Sequence, residues 1–177
     1  MSKIKSTHLN TKSIALLALF LATEIVLSRF LSIALWNLKI GFAFLPLVLA
    51  ARKYGPSGGM IVGGLGDFVG AILFPIGAYY PGFTLTAILN GFVFGFVLHK
   101  KCNLPRIIVA VLIAQIFGSL LLNTLWISRL YGSPFIPLFI SRIVQVCISI
   151  VIEIITLPIV LKYMQKFERS NTFSKIS

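Results

Sequence analysis

Arg29, Lys39, Arg129 and Arg142 sit inside long hydrophobic runs or at their ends, and Asp67 lies within another such run. Asn90 adds an amide to one further apolar stretch, and Asn123 adds another to the stretch that ends at Arg129. Four cations against one acid leave an excess of positive charge, which suits a ligand bearing more than one carboxylate or phosphate. Asp67 can accept two parallel hydrogen bonds from a ring amine and its neighbouring ring N–H. Tyr79, Tyr80, Phe83, Trp126 and Tyr131 fall near the same helix ends, and aromatic faces there can sandwich a flat ring. The chemistry implied is recognition of a planar ring with an amidine edge and an acidic tail.

The elements that must hold these groups are membrane helices. The 177-residue chain is 58% hydrophobic and 11% charged, and its mean hydropathy is +0.98, far above a soluble domain of this size. A net charge of +12 would suggest nucleic acid in a soluble protein. Here the cations lie mostly in short links between apolar runs, as in a protein oriented in a bilayer. Cys102 and Cys147 have neither disulfide context nor metal-ligand spacing. No cofactor and no nucleic acid are expected.

Spans of about 20 residues predict a single all-α transmembrane domain over 1–177, with six helices at about 12–36, 39–53, 56–74, 82–99, 105–128 and 135–164. The first run is too long for a signal-peptide core and is read as a retained span. With both termini cytoplasmic, twelve of the sixteen Lys and Arg residues fall in inner links or tails. The four that do not are the cations named above. They lie with Asp67, Asn90 and Asn123 in outer helix halves, while Glu24, Gln115 and Glu153 are placed in the inner halves. Lipid cannot solvate such groups, so the pattern predicts a cup open outward and closed inward.

Each residue has a plainer role as well. Asp67 serves equally as an ion-pair partner of Arg29 or Arg142. Lys39 and Arg129 at helix ends suit snorkelling to headgroups, and Tyr79, Tyr80 and Trp126 suit an interfacial aromatic belt. Gly55, Gly59 and Gly63, followed by Gly66 and Gly70, form rows on which another helix can pack closely.

The string Gly66-Asp67-Phe68-Val69-Gly70-Ala71, with Leu73-Phe74-Pro75, Gly77-Ala78-Tyr79 and Pro81-Gly82-Phe83-Thr84-Leu85, resembles the signature of the FolT family. These are the folate-specific S components of energy-coupling factor (ECF) vitamin transporters. Leu27-Ser28-Arg29-Phe30, Asn123-Thr124-Leu125-Trp126 and Ser141-Arg142-Ile143 resemble that family's other marked segments. The resemblance spans the first helix to the sixth and implies a non-catalytic subunit of the cell membrane that captures folate or a reduced folate from outside. It implies work with a transmembrane coupling protein (EcfT-like) and two ATP-binding subunits (EcfA-like). The chain has no G-x-x-x-x-G-K-[ST] phosphate loop. Asp67, Asn90, Asn123 and Trp126 become candidates for the pterin, and Arg29 and Arg142 for orienting Asp67 or for the glutamate carboxylates. Tyr79, Tyr80 and Phe83 accompany them, and lids are expected at 36–38, 75–81 and 129–134.

In this family small residues of the first helix dock on the coupling protein, and Ala18-x-x-x-Ala22 fits that pattern, with Ala15 as a further small residue. Ala18 and Arg29 are eleven residues apart, about three turns, so a straight helix points both the same way. Either the helix bends near Ser28 or other small residues form the docking face. The alternatives to the folate reading are an S component for thiamine, riboflavin or a similar vitamin, an intramembrane enzyme, and a structural subunit. The enzyme is disfavoured because His8 and His99 lie in inner segments and Glu24, Asp67 and Glu153 lack metal-ligand spacing.

Overall fold

The computed structural model describes residues 10–34 and 39–173. The lid expected at 36–38 and the terminal stretches carrying Lys3, Lys5 and Lys175 lie outside the described residues. Helix α1 (Thr11–Arg29) stops at Arg29, short of the expected boundary at 36. The Ser32 hydroxyl donates to the Ser28 carbonyl at 2.7 Å, satisfying one of the carbonyls that a helix end leaves open. The chain then forms a small hairpin that the all-helical expectation lacked. Strands β1 (Ser32–Ala34) and β2 (Lys39–Gly41) pair antiparallel with Ser32 opposite Gly41 and Ala34 opposite Lys39.

Five helices among the described residues are long and apolar enough to cross a membrane. The second, α2 (Phe44–Leu73), is one hydrogen-bonded element interrupted at Gly55, whose φ of 74° is left-handed and favours glycine. Pro56 follows and removes a helical N–H. Residues either side of this break meet each other: a Cβ on Gly63 would lie 2.9 Å from Leu47 Cδ1, and one on Gly59 would lie 3.0 Å from Ala51 Cβ. Along a straight helix residues 47 and 63 would be about 24 Å apart. The chain therefore folds back at Gly55, and residues 44–54 and 56–73 form two arms packed against each other. Five membrane-length helices among the described residues thus stand where six were expected, the expected segments 39–53 and 56–74 being two arms of α2, which starts at Phe44.

Helix α3 (Pro81–Leu98) begins with a proline, which is pre-set for the first turn. It lies against the second half of α2 so closely that a Cβ on Gly59 would strike the Gly91 carbonyl, and one on Gly91 would strike the Gly59 carbonyl. The expected fifth span is composite. It comprises α4 (Leu104–Ile113), a π-helical segment (Ala114–Leu122) and α5 (Asn123–Tyr131), closed by Gly132 at φ 64°. Helix α6 (Phe135–Phe173) continues beyond the expected end at 164.

The core is lopsided. Leu47, Val48, Phe94, Leu98, Val111, Leu157 and Leu161 pack into one cluster contributed by α2, α3, α4 and α6. This cluster fills the part of the bundle that leads to the Gly55 turn and His99, the end that charge placement assigns to the cytoplasm. No comparable apolar plug fills the far end among the described residues. Polar side chains collect there instead.

Candidate ligand-binding site

A cavity of about 230 Å³ opens beyond the apolar cluster, enclosed by α1, the hairpin, α2, α3, the π-helical segment and α6. Its polar wall is formed by Glu24, Asn90, Gln115, Ser119, Asn123 and Glu153, and its apolar wall includes Phe44, Leu47 and Phe94. Pockets that bury most of a drug-sized ligand run roughly 300–1,000 Å³, so this volume suits a ring system with the remainder of a larger ligand reaching toward the hairpin.

Of the residues expected at the site, Asn90 and Asn123 line this cavity. The bare face of Gly118 lets Asn90 lie against the π-helical segment, where any Cβ would strike its amide. Glu24, Gln115 and Glu153, which the sequence reading placed in inner halves away from the cup, share the same wall. Their signal was visible as ionisable or amide groups inside apolar runs. What was not visible was the local helix type. Residues 115, 119 and 123 are spaced by four, and in an unbroken α-helix that column drifts by about 80° over its length. The wider turns of the π-helix rotate less per residue and offset the drift, so all three face the cavity. Such segments are frequent at functional sites.

Arg29 and Asp67 meet elsewhere. The Arg29 side chain passes over Gly70, where a Cβ would lie 2.8 Å from Nε. Its Nη2 donates to the Asp67 carbonyl oxygen at 3.1 Å and stands 3.5 Å from carboxylate oxygen Oδ1. The other carboxylate oxygen accepts from Thr84 Oγ1 at 2.8 Å. Because that hydroxyl has given its proton to Asp67, the Tyr79 hydroxyl 3.0 Å away must donate to Thr84. Tyr79 also packs edge-on against Phe68, centroids 6.0 Å apart. The four polar groups thus tie the end of α1 and the loop at 74–80 to α2 and α3. The geometry realises the ion-pair alternative for Asp67, and neither Asp67 nor Arg29 is in the cavity wall.

Trp126 donates from Nε1 to the buried Thr86 hydroxyl at 3.0 Å and lies against Tyr80, ring centroids 5.6 Å apart. Bare Gly82 makes room for the indole. Tyr80 also meets Phe83 edge-on at 6.3 Å. These aromatics cluster with one another and not in the cavity wall. Arg142 is 4% exposed and donates to the Ser119 carbonyl at 3.2 Å, bracing the π-helical segment from behind. Arg129 is exposed at the end of α5. Lys39 begins β2, and its side chain is outside the described set.

Helix α1 keeps its small residues and its buried residues on different sides without a bend. Ala15, Ala18 and Ala22 are exposed along one side, while Leu17, Glu24 and Ser28 are buried on the other. Arg29 ends the helix, and its long side chain reaches inward across Gly70 although its Cα lies in line with Ala18. Glu24 uses Gly66 in the same way, its carboxylate filling the space where a Cβ would stand. The expected glycine row is therefore divided in use: Gly59 and Gly63 meet the backbone of α3, and Gly66 and Gly70 receive polar side chains of α1.

A family model described as the ECF-type riboflavin transporter, S component, matches residues 8–166. The chain is 35% identical over 162 residues to the folate transporter FolT of Clostridium novyi, covering 91% of this chain and 94% of that one. It is 29% identical over 153 residues to the folate transporter FolT of Leuconostoc mesenteroides, covering 82% of each. A crystal structure of FolT bound with folic acid superposes with a TM-score of 0.81 at 34% identity, over 85% of this chain and 94% of that one. With five long apolar helices among the described residues and a family match over nearly its whole length, the chain belongs to the S components of ECF-type transporters.

Proposed function

We propose that this multi-pass membrane protein is the folate-binding S component of an ECF importer, taking folate or a reduced folate from outside into the cavity between α1, the hairpin, α3, the π-helical segment and α6. The observation that carries the reading is the likeness, at 34% identity over 85% of the chain, to a FolT protein whose crystal structure holds folic acid. Asn90 and Asn123 in the cavity wall contact the ligand. Tyr80, Phe83 and Trp126 flank it as an aromatic group. Arg29 and Arg142 supply the positive surround for its acidic tail, and Asp67 with Tyr79 holds the loop at 74–80 in place.

As an S component the protein is a transport subunit and not an enzyme. Import requires a transmembrane coupling protein (EcfT-like) docked on the small-residue face Ala15, Ala18 and Ala22, and two ATP-binding subunits (EcfA-like) that hydrolyse ATP. The absence of a phosphate loop in the sequence supports that division of labour. The description of the matching family model keeps riboflavin as the second reading. Titration of the purified protein with folic acid, riboflavin and thiamine separates them: saturable binding of folic acid alone supports the proposal, and binding of riboflavin or thiamine in its place rejects it.

A further inference from the structure

The cavity is short of donors at one corner. Gln115 Nε2 donates to Glu153 Oε1 at 2.6 Å. A carboxylate offers only acceptors, so the contact fixes the amide orientation and turns Gln115 Oε1 away. Gln115 Oε1, Glu153 Oε2 and Asn123 Oδ1 are then buried with no hydrogen-bond partner among the described residues. All three residues line the cavity, and Glu153 is only 5% exposed. Buried acceptors are costly to leave without donors. A wall of this kind fits a ligand edge that carries N–H groups.

We propose that Glu153 and Gln115, beside the amide of Asn123, form an acceptor-rich corner that receives the N–H edge of a planar heterocycle, an exocyclic amine beside a ring N–H, and thereby selects between vitamins. The inference rests on the folate reading and deepens it. The pyrimidine ring of folic acid presents such an amine and N–H side by side. The corresponding edge of an isoalloxazine presents one N–H between two carbonyl oxygens, and those oxygens would face Glu153 Oε2 and Gln115 Oε1, acceptor against acceptor. Asp67 is poorly placed for the task, because Thr84 and Arg29 already engage its carboxylate and it is not part of the cavity wall.

The test is titration of the purified, detergent-solubilised protein with folic acid, with its 2-desamino-2-methyl analogue and with riboflavin, followed by tryptophan fluorescence. A site built to hydrogen-bond a donor rejects a ligand lacking it strongly, so the analogue should bind at least about 100-fold more weakly than folic acid. Glu153→Gln keeps the shape and replaces an acceptor by a donor. It should weaken folic acid by a similar factor and weaken the analogue, which lacks the amine and keeps only the ring N–H, by less. Equal binding of folic acid and the analogue by the wild-type protein overturns the proposal while the folate reading stands, and so does unchanged folic acid binding by Glu153→Gln. If that variant is not recovered folded, the wild-type comparison decides alone. Riboflavin binding with no folic acid binding overturns both.

Discussion

His99 Nδ1 lies 3.1 Å from the carbonyl oxygen of Arg52 and donates to it. In a continuous helix that carbonyl would accept from the amide of residue 56, but Pro56 has no N–H. The imidazole at the end of α3 therefore supplies the missing donor at the turn of α2. Arg52 returns the contact, its guanidinium donating to the His99 carbonyl. The expected consequence is that His99→Ala lowers stability by about 1 kcal/mol, seen as a lower thermal midpoint in detergent. A variant with the wild-type midpoint would show that the contact contributes nothing.

Gly91 stands against Gly59 with no room for a side chain on either. Because helices in lipid associate by close packing and not by exclusion of water, Gly91→Leu should cost more than the usual 1–3 kcal/mol of overpacking. The variant should insert in the membrane yet aggregate on extraction, measured by size-exclusion chromatography. A monodisperse, ligand-binding Gly91→Leu protein would contradict the interhelical contact.

Asp67→Asn should weaken folic acid binding by at least about tenfold, because a charge-assisted contact to Arg29 and Thr84 is lost and the loop at 74–80 loosens. Lys39→Ala, removing a cation at the start of a strand, should cost less than about threefold. The comparison is made by titration of both purified variants. Equal losses would remove Asp67 from any role in positioning the site.

Ala18→Trp and Ala22→Trp project a large ring from the exposed side of α1. Folic acid binding by the isolated protein should be unchanged within about twofold, since neither residue touches the cavity, whereas uptake in cells with the whole transporter should be lost, because small residues are what allow helices to approach closely. Normal uptake would place the docking face elsewhere.

Arg142→Glu should abolish ligand binding without removing the protein from the membrane, since Arg142 braces the π-helical segment through the Ser119 carbonyl. Membrane content by immunoblot and binding by titration are the two measurements. Normal binding would restrict this arginine to helix packing.

Hydropathy was enough to determine the class and the apolar helices, because a segment that crosses lipid must be apolar along its length, and the placement of Lys and Arg predicts their orientation. The row of glycines likewise announced close helix packing. A charge in a hydrocarbon run needs a partner, so the Arg29–Asp67 pair was among the readings open from sequence. Which polar groups share a cavity was decided only by the fold. The π-helical turns bring Gln115, Ser119 and Asn123 to one side, and the bare faces of Gly66 and Gly118 let Glu24 and Asn90 reach between helices. These are relations between residues far apart in the chain, set by helix winding and interhelical distance, and no local pattern of hydrophobicity or charge encodes them.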